Sequence, residues 1–170
     1  FHCGVTSGSS LDGHDFVIAA DGPNSICRSE WGIHSLRLPY RQGCLAAKVI
    51  IRGANKSKAH EILRPEGPFA LLPIREETFQ VVWSAPYSLC KERAGLPPAI
   101  FLDKLAGLLP NGFEPDLLLD SPKAFPIEFA LALGLGSCNR FLIGEAAHRF
   151  HPVGGQGLNV CWRDVNTLMW

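Results

Sequence analysis

Residues 144–159, GEAAHRFHPVGGQGLN, combine four glycines, one proline, two histidines and one acidic residue within sixteen positions. Three kinds of chemistry could use this composition. The histidines and Glu145 could hold a metal ion, a histidine could serve a hydrolase, or the glycines could leave main-chain N–H groups open to a large ligand. The spacing of these residues decides how far each interpretation can be taken.

A metal site has little support in the spacing. His148 and His151 are three residues apart, and Glu145 precedes His148 by three, so a helix would place them on one face. However, Pro152 and the glycines after it disfavour a helix here, and no further ligand is indicated elsewhere in the sequence. Ordinary hydrogen-bonded histidines are the simpler interpretation, so we assign no metal ligand.

A hydrolase would show a nucleophile elbow, G-x-S-x-G after a strand, and the sequence contains none. A pair formed by a cysteine nucleophile and His148 stays open. Cys161, however, falls in a predicted helix, where a structural thiol is the default. We therefore assign no catalytic residue.

The third interpretation needs no reactive side chain. A strand ending near Gly144, a loop through Pro152, and a helix from about Gly157 would gather unpaired N–H groups at one point. The helix dipole adds positive character there, which suits an anionic or electron-rich ring or a phosphate. Glu145, at the strand end, suits hydrogen bonds from sugar-like hydroxyls.

The composition is that of a globular domain. The 170 residues are 46% hydrophobic, and sixteen basic residues balance sixteen acidic ones, which argues against nucleic acid as a partner. No apolar run is long enough to span a membrane, and no signal peptide is recognisable. The six cysteines are widely spaced, without a C-x-x-C pair, so we expect reduced thiols and a cytoplasmic location.

The order of short apolar runs predicts an α/β fold with an α+β insert. We expect a strand in DFVIAAD, a short helix capped by Ser25, four strand-like runs between residues 43 and 84, and one helix after Pro97-Pro98. Strands in FPIEFALAL and RFLIGE and a final helix follow. The corresponding domain segments are 1–35, 36–137 and 138–170, with the mostly antiparallel sheet in the middle segment.

Two segments resemble the motifs of one enzyme family. VIAADGPNSICR resembles A-D-G-x-x-S-x-[VIC]-R, and RFLIGEAAHRFHPVGGQGLNVCWRDVNTL resembles G-D-A-A-H-x-x-x-P-x-x-G-Q-G-x-N, both from FAD-dependent aromatic-ring hydroxylases. EILRPEGPFALLPI, VVWS and FPIEFALA look like the ubiquinone-biosynthesis hydroxylase branch of that family. The resemblance covers nearly the whole chain.

The resemblance implies the latter part of an FAD-binding Rossmann-like domain, together with the antiparallel sheet of a substrate domain. The G-x-G-x-x-G unit with which family members begin is not in this sequence. We therefore expect a partial chain that is inactive alone and binds FAD weakly or not at all.

Residue roles follow from the matching positions. Asp21 and Gly22 would lie near the FAD pyrophosphate, with Arg28 supporting that segment. Glu145, beside Gly144, would face the ribityl and pyrophosphate region, although the family usually has Asp at this position. The isoalloxazine ring would be lined by Pro152, Gly154, Gly155, Gln156, Gly157, Leu158 and Asn159. Main-chain N–H groups near Gly157 would stabilise negative charge on the reduced flavin.

The implied activity of the whole protein is that of a monooxygenase. NADPH or NADH would reduce FAD, and a flavin hydroperoxide would hydroxylate an aromatic ring of a quinone precursor. A prenylated phenol would need an apolar pocket, and it allows for peripheral membrane association of the full-length protein. Candidate residues for the inward face of the sheet, each with simple core packing as the alternative, are Leu72, Val82, Trp83, Phe125 and Phe129.

Two alternatives remain open from the sequence. A related flavoprotein could use the same scaffold for another reaction, such as prenyl reduction or halogenation. The chain could also be a truncated fragment without catalytic function.

Overall fold

The computed structural model describes residues 13–152 and 155–170. These residues form two compact units. One unit contains the chain up to Pro39 together with Glu128–Trp170, and the other is Tyr40–Ile127. The chain passes between the units twice, each time within a strand. The domain boundaries expected from the sequence, after residues 35 and 137, stay a prediction.

The first unit contains a small sheet of three strands. Strand β1 (Val17–Ala19) pairs in parallel with β9 (Arg140–Leu142), and β8 (Gly136–Ser137) pairs with β9 in antiparallel fashion. Helix α1 (Ile26–Glu30) follows β1, and Ser25 is its N-cap, as the sequence predicts. The side chains that form the core of this unit are small and apolar: Val17, Ala19, Cys27, Ala132, Leu142, Ala146 and Ala147.

The last part of this unit carries the glycine-rich segment. After β9 the chain forms a 3₁₀ turn (Gly144–Ala146) and the short strand β10 (His148–Arg149). Strand β10 pairs with the end of β7 (Lys123–Ala132), His148 opposite Leu131. Helix α4 (Gln156–Leu168) completes the chain. None of the helices in the described ranges is both long and apolar enough to cross a lipid bilayer.

The second unit is built on an antiparallel sheet with strand order β7-β2-β5-β4-β3, in which β6 also pairs with β2. The other strands are β2 (Ser35–Arg52), β3 (His60–Arg64), β4 (Gly67–Arg75), β5 (Thr78–Pro86) and β6 (Glu114–Leu118). The predicted meander is therefore confirmed, and with it the mixed α/β class of the chain.

Two helices cover one face of this sheet, where the sequence predicted one. Helix α3 (Pro98–Ala106) is the predicted helix, and its Phe101 and Leu105 are fully buried. Helix α2 (Tyr87–Ala94) was not predicted, because half of the stretch YSLCKERA is polar and it has a single buried residue, Cys90. The sheet contributes its alternate residues to the same core: Leu45, Ala47, Val49, Ile51, Phe69, Leu71, Phe79, Val81 and Trp83.

This alternation corrects one prediction about the sheet. Trp83 is 2% exposed and packs in the core beneath the helices. Val82 is its neighbour in β5 and therefore points to the opposite face, so the two residues cannot line one pocket. Leu72 lies on the face of Val82, because Leu72 pairs with Gln80, two residues before Val82. Trp83 is thus a core residue, while Leu72 and Val82 belong to the face that carries no helix of this unit.

Candidate functional site

The start of helix α4 is open, as the sequence predicts. Its N-cap, Gly155, has a left-handed backbone with φ of 61°, and no side chain in the described part of the chain caps the helix. The first turn contains no acidic residue. Four main-chain N–H groups at a helix start have no partner within the helix, and the helix dipole makes this end positive. The site therefore offers donors to a negatively charged or electron-rich group.

Two glycines of this helix start also have open surroundings. Among the residues that the structure describes, a Cβ atom added at Gly155 or at Gly157 would meet no other atom within 4 Å. Pro152 holds the approach to the helix, because its carbonyl oxygen accepts a hydrogen bond from the N–H of Gly155 at 3.0 Å. Gly154, another predicted site residue, lies outside the described residues. A flat ligand could thus reach the main chain without meeting side chains at these two positions.

A cleft of about 400 Å³ lies beside this helix. Gly22, Gly144, Glu145 and Leu158 line it, so the structure brings together residues from both sequence motifs. Gln156 and Asn159, which were also predicted, lie exposed in the first turn of α4, where the amide of Asn159 donates to Oε1 of Gln156 at 3.2 Å. The remaining lining residues were not predicted: Ala20, Ile143, Cys161, Trp162 and Val165.

Part of this lining could have been predicted from the sequence. Leu158, Cys161, Trp162 and Val165 follow the spacing i, i+3, i+4, i+7 and therefore form one apolar stripe along α4. Leu158 is 67% exposed and Trp162 is 60% exposed, so this stripe is largely uncovered within the unit. The stripe identifies which face of α4 belongs to the cleft.

Asp21 serves as a second cap for helix α1. Its Oδ2 accepts hydrogen bonds from the N–H groups of Ile26 at 2.8 Å and Cys27 at 3.2 Å. Burial would raise the pKa of Asp21, but hydrogen bonds from the Ser25 side chain and from main-chain N–H groups hold this pKa below its ordinary value. Asp21 thus fixes the turn that contains Gly22.

Arg28 joins the two sequence motifs. Its guanidinium is buried, and it donates from Nη1 to the carbonyl oxygen of Ala146 and from Nη2 to that of Pro23, both at 2.9 Å. Ala146 belongs to the 3₁₀ turn that also contains Gly144 and Glu145. Arg28 therefore holds the turn after β1 and the turn after β9 in a fixed relation, while its role at a cofactor stays a prediction.

Glu145 lines the cleft with a partly exposed side chain. Its side chain is 51% exposed, and its Oε1 atom lies 3.9 Å from Nε of Arg149, which is a weak surface pair. Oxygen atoms of Glu145 are thus accessible to hydroxyl donors from the cleft.

Sequence reasoning missed one hydrogen-bonded cluster at this site. Oδ2 of Asp164, on α4, accepts the N–H of Gly144 at 2.7 Å and lies 2.8 Å from Nε2 of His148. Nε2 of His148 therefore already has the Asp164 carboxylate as its hydrogen-bond partner. Among the residues described by the structure, no group of three or more His, Cys, Asp or Glu side chains could hold a metal ion.

Comparison with known proteins shows the family to which the chain is related. The family model described as an FAD binding domain matches residues 12–170. Ubiquinone biosynthesis monooxygenase COQ6 of Drosophila melanogaster is 31% identical, with 91% of this chain and 39% of the relative covered. The 3-demethoxyubiquinol 3-hydroxylase of Escherichia coli is 30% identical, with 90% and 39% covered.

A solved structure shares the fold. PqsL, described as a probable FAD-dependent monooxygenase from Pseudomonas aeruginosa, matches 91% of this chain and 44% of its own length, with a TM-score of 0.70 and 23% identity. The chain thus spans about two fifths of the length of the curated relatives it matches.

Proposed function

Because the chain belongs to the FAD binding domain family, we propose that the full-length protein is a monooxygenase that hydroxylates an aromatic ring of a quinone precursor, with NADPH or NADH as reductant. One observation carries this proposal. The open start of α4 and the cleft lined by both sequence motifs lie side by side, which suits a flat ring joined to a phosphate-bearing tail.

The residues present fit FAD. Gly155 and Gly157 leave space for a ring to approach the main chain, and Glu145 offers accessible carboxylate oxygens to the hydroxyls of the ribityl chain. Gly22, which also lines the cleft, has a φ of 85°, and a Cβ atom there would meet nothing within 4 Å in residues 13–152 and 155–170. That segment therefore leaves room for the pyrophosphate.

When bound, FAD would supply the redox chemistry that activates O₂ for transfer of one oxygen atom to the aromatic ring. The contribution of this chain is positional and electrostatic. N–H groups in the first turn of α4 would stabilise negative charge on the ring, and Asp21 and Arg28 would keep the two turns in place. The apolar stripe of α4 would exclude water from one side of the cleft.

The substrate that we propose is an apolar phenol, including one with a prenyl chain. Supporting this proposal, the face of the second unit's sheet without helices carries half-buried apolar side chains, such as Ala46, Ala70 and Val82. The names of two relatives, a ubiquinone biosynthesis monooxygenase and a demethoxyubiquinol hydroxylase, point to the same class of substrate.

The test uses the full-length protein loaded with FAD. Phenols with and without a prenyl chain are added, and oxygen uptake and oxidation of NADPH or NADH are recorded. We expect consumption to depend on the phenol, and the product to contain one oxygen atom from isotopically labelled O₂. A product with a saturated prenyl bond, a halogenated product, or no phenol-dependent oxygen uptake would contradict the proposal.

A further inference from the structure

Asp164 in the third turn of α4 holds the beginning of the glycine-rich segment. Its Oδ2 accepts the hydrogen bond from the N–H of Gly144 and lies within hydrogen-bond distance of Nε2 of His148. Only 23% of the Asp164 side chain and 10% of the His148 side chain are exposed. A single carboxylate oxygen thus fixes two positions of the segment, one at the start of the 3₁₀ turn and one just after it.

The imidazole of His148 is oriented from two sides. Because the atom facing Nε2 is a carboxylate oxygen, Nε2 must carry the hydrogen of this bond. The ring also stacks on Phe150, with centroids 5.2 Å apart, and Phe150 contacts Phe129 at 5.8 Å. The direction of the chain through β10 is therefore set by both polar and aromatic contacts.

Gly144 makes the reversal that brings its N–H to Asp164. It has a left-handed backbone with φ of 61°, and its carbonyl oxygen accepts the N–H of Ala147 at 2.9 Å. A Cβ atom here would lie 3.5 Å from Sγ of Cys161, which shows how closely the turn approaches α4. The turn thus rests directly on the helix.

The segment returns to the same helix at its other end, where Gly155 caps α4. Asp164 is eight residues beyond Gln156, or about 12 Å along the helix axis. Both ends of the glycine-rich segment are therefore fixed to one rigid element, and the Asp164 hydrogen bonds set the position of the first end.

We propose that Asp164 is a positioning residue for the flavin site. By holding Gly144 and His148 against α4, it fixes the separation between Glu145 and the open N–H groups at the helix start. The identity of the ligand as FAD rests on the proposed function, whereas the hydrogen bonds of Asp164 are observed in the structure.

The test compares Asp164→Ala with Asp164→Asn in the full-length apoprotein. FAD affinity is measured by fluorescence, and amide hydrogen exchange is measured at Gly144. Alanine removes both hydrogen bonds, so we expect FAD affinity to fall by roughly 10- to 100-fold and exchange at Gly144 to become faster. The amide oxygen of asparagine can replace Oδ2, so we expect Asn to restore part of the affinity. We also expect altered flavin absorption bands in the Ala variant.

Asp103→Ala is the matched control, because Asp103 is an exposed residue of α3 in the other unit. Alanine favours helices over aspartate, so neither alanine substitution weakens its helix through propensity. Asp164→Ala with unchanged FAD affinity and unchanged Gly144 exchange would overturn the proposal, as would an equal loss of affinity in Asp103→Ala. If Asp164→Ala does not fold, Asp164→Asn and His148→Ala are each compared with the wild type, and unchanged FAD affinity in both variants also overturns the proposal.

Failure of this inference differs from failure of the proposed function. A wild-type protein that binds FAD but does not oxygenate phenols contradicts the proposed function, while the comparison of affinities and exchange rates still decides the role of Asp164. Oxygenation by the wild type with no effect of Asp164→Ala on affinity or exchange contradicts only the positioning role.

Discussion

The guanidinium of Arg28 donates a hydrogen bond to the carbonyl oxygen of Ala146, 118 residues further along the chain, at a distance of 2.9 Å. Each residue belongs to one of the two segments in which the sequence placed the cofactor site. A second bond from Arg28 reaches the carbonyl oxygen of Pro23. The two halves of the candidate site are thus tied together by one buried side chain.

Replacement of Arg28 should therefore weaken the first unit. Arg28→Met keeps much of the apolar stem but leaves the carbonyl oxygens of Pro23 and Ala146 without this donor, and we expect a cost of about 2 kcal/mol. In a unit of this size that corresponds to a fall in melting temperature of roughly 8–16 °C. Circular dichroism during thermal unfolding measures this melting temperature. Arg75→Met, at an exposed position of β4, is the control, and an equal fall there would contradict the role of Arg28.

Gly157→Ala should separate stability from cofactor binding. Gly157 lies in the first turn of α4 outside the left-handed region, so alanine should stabilise the helix, by up to about 1 kcal/mol. The added methyl group would project from the first turn of α4, where we propose that the ring approaches the main chain, so FAD affinity should fall. Melting temperature and FAD titration of the full-length protein test both expectations.

Gly107→Ala at the end of α3 provides the comparison for that result, since it adds a methyl group far from the candidate site in sequence, in the other unit. We expect FAD affinity to be unchanged in this variant. A Gly157→Ala protein that is more stable and binds FAD like the wild type would show that the ring does not approach the chain at this point.

Low pH should lower the stability of the second unit, because Glu66 then becomes protonated. Its carboxylate accepts one hydrogen bond from Nη2 of Arg93 and one from Nε1 of Trp83, both at 2.9 Å. The Arg93 guanidinium also lies over the Trp83 ring. The bond from Arg93 is the main reason that the pKa of Glu66 is lowered, against the opposing effect of burial. A lowered carboxylate pKa adds stability above the unfolded value, near 4.3, and this stability is lost as the pH falls through the folded pKa.

We therefore expect Glu66→Gln to lower the melting temperature at neutral pH and to flatten its decline below about pH 4.3. Melting curves between neutral and acidic pH measure this difference. Glu92→Gln, on the exposed side of α2, is the matched control and should follow the wild-type profile. A Glu66→Gln profile parallel to that of the wild type would contradict this interpretation.

The rate of alkylation of Cys161 should report whether the cofactor is bound. It is a free thiol that lines the cleft, and burial, with Asp164 and Glu145 nearby, raises its pKa. Alkylation should therefore be slow at neutral pH, become faster as the pH rises, and be slower still with FAD bound. Mass spectrometry of the alkylated protein measures the extent of alkylation at each cysteine. Exposed Cys138 is the internal control, and equal protection of both thiols would contradict a cleft-specific effect.

Local pattern was sufficient for most of the elements. Helix α3 was predictable from its apolar spacing and from the proline at its start, and β5 from the run TFQVVWS. Strand β6 was missed, because Pro115 and Asp116 are poor strand residues and only its pairing with β2 makes it a strand. The predicted strand after Arg140 ends at Leu142, because Gly144 begins a 3₁₀ turn.

By itself, the sequence determined the family, a helix start near Gly157 and the two motifs that contribute to the cleft, because glycine content, capping residues and motif spacing act within a few residues of the chain. Tertiary structure alone decided which partners these residues have. Nothing in the spacing shows that Asp164 receives both Gly144 and His148, that Arg28 reaches Ala146, or that Trp83 faces the helices. These contacts join residues distant in sequence or depend on which face of a sheet is covered, and only the packed chain brings them together.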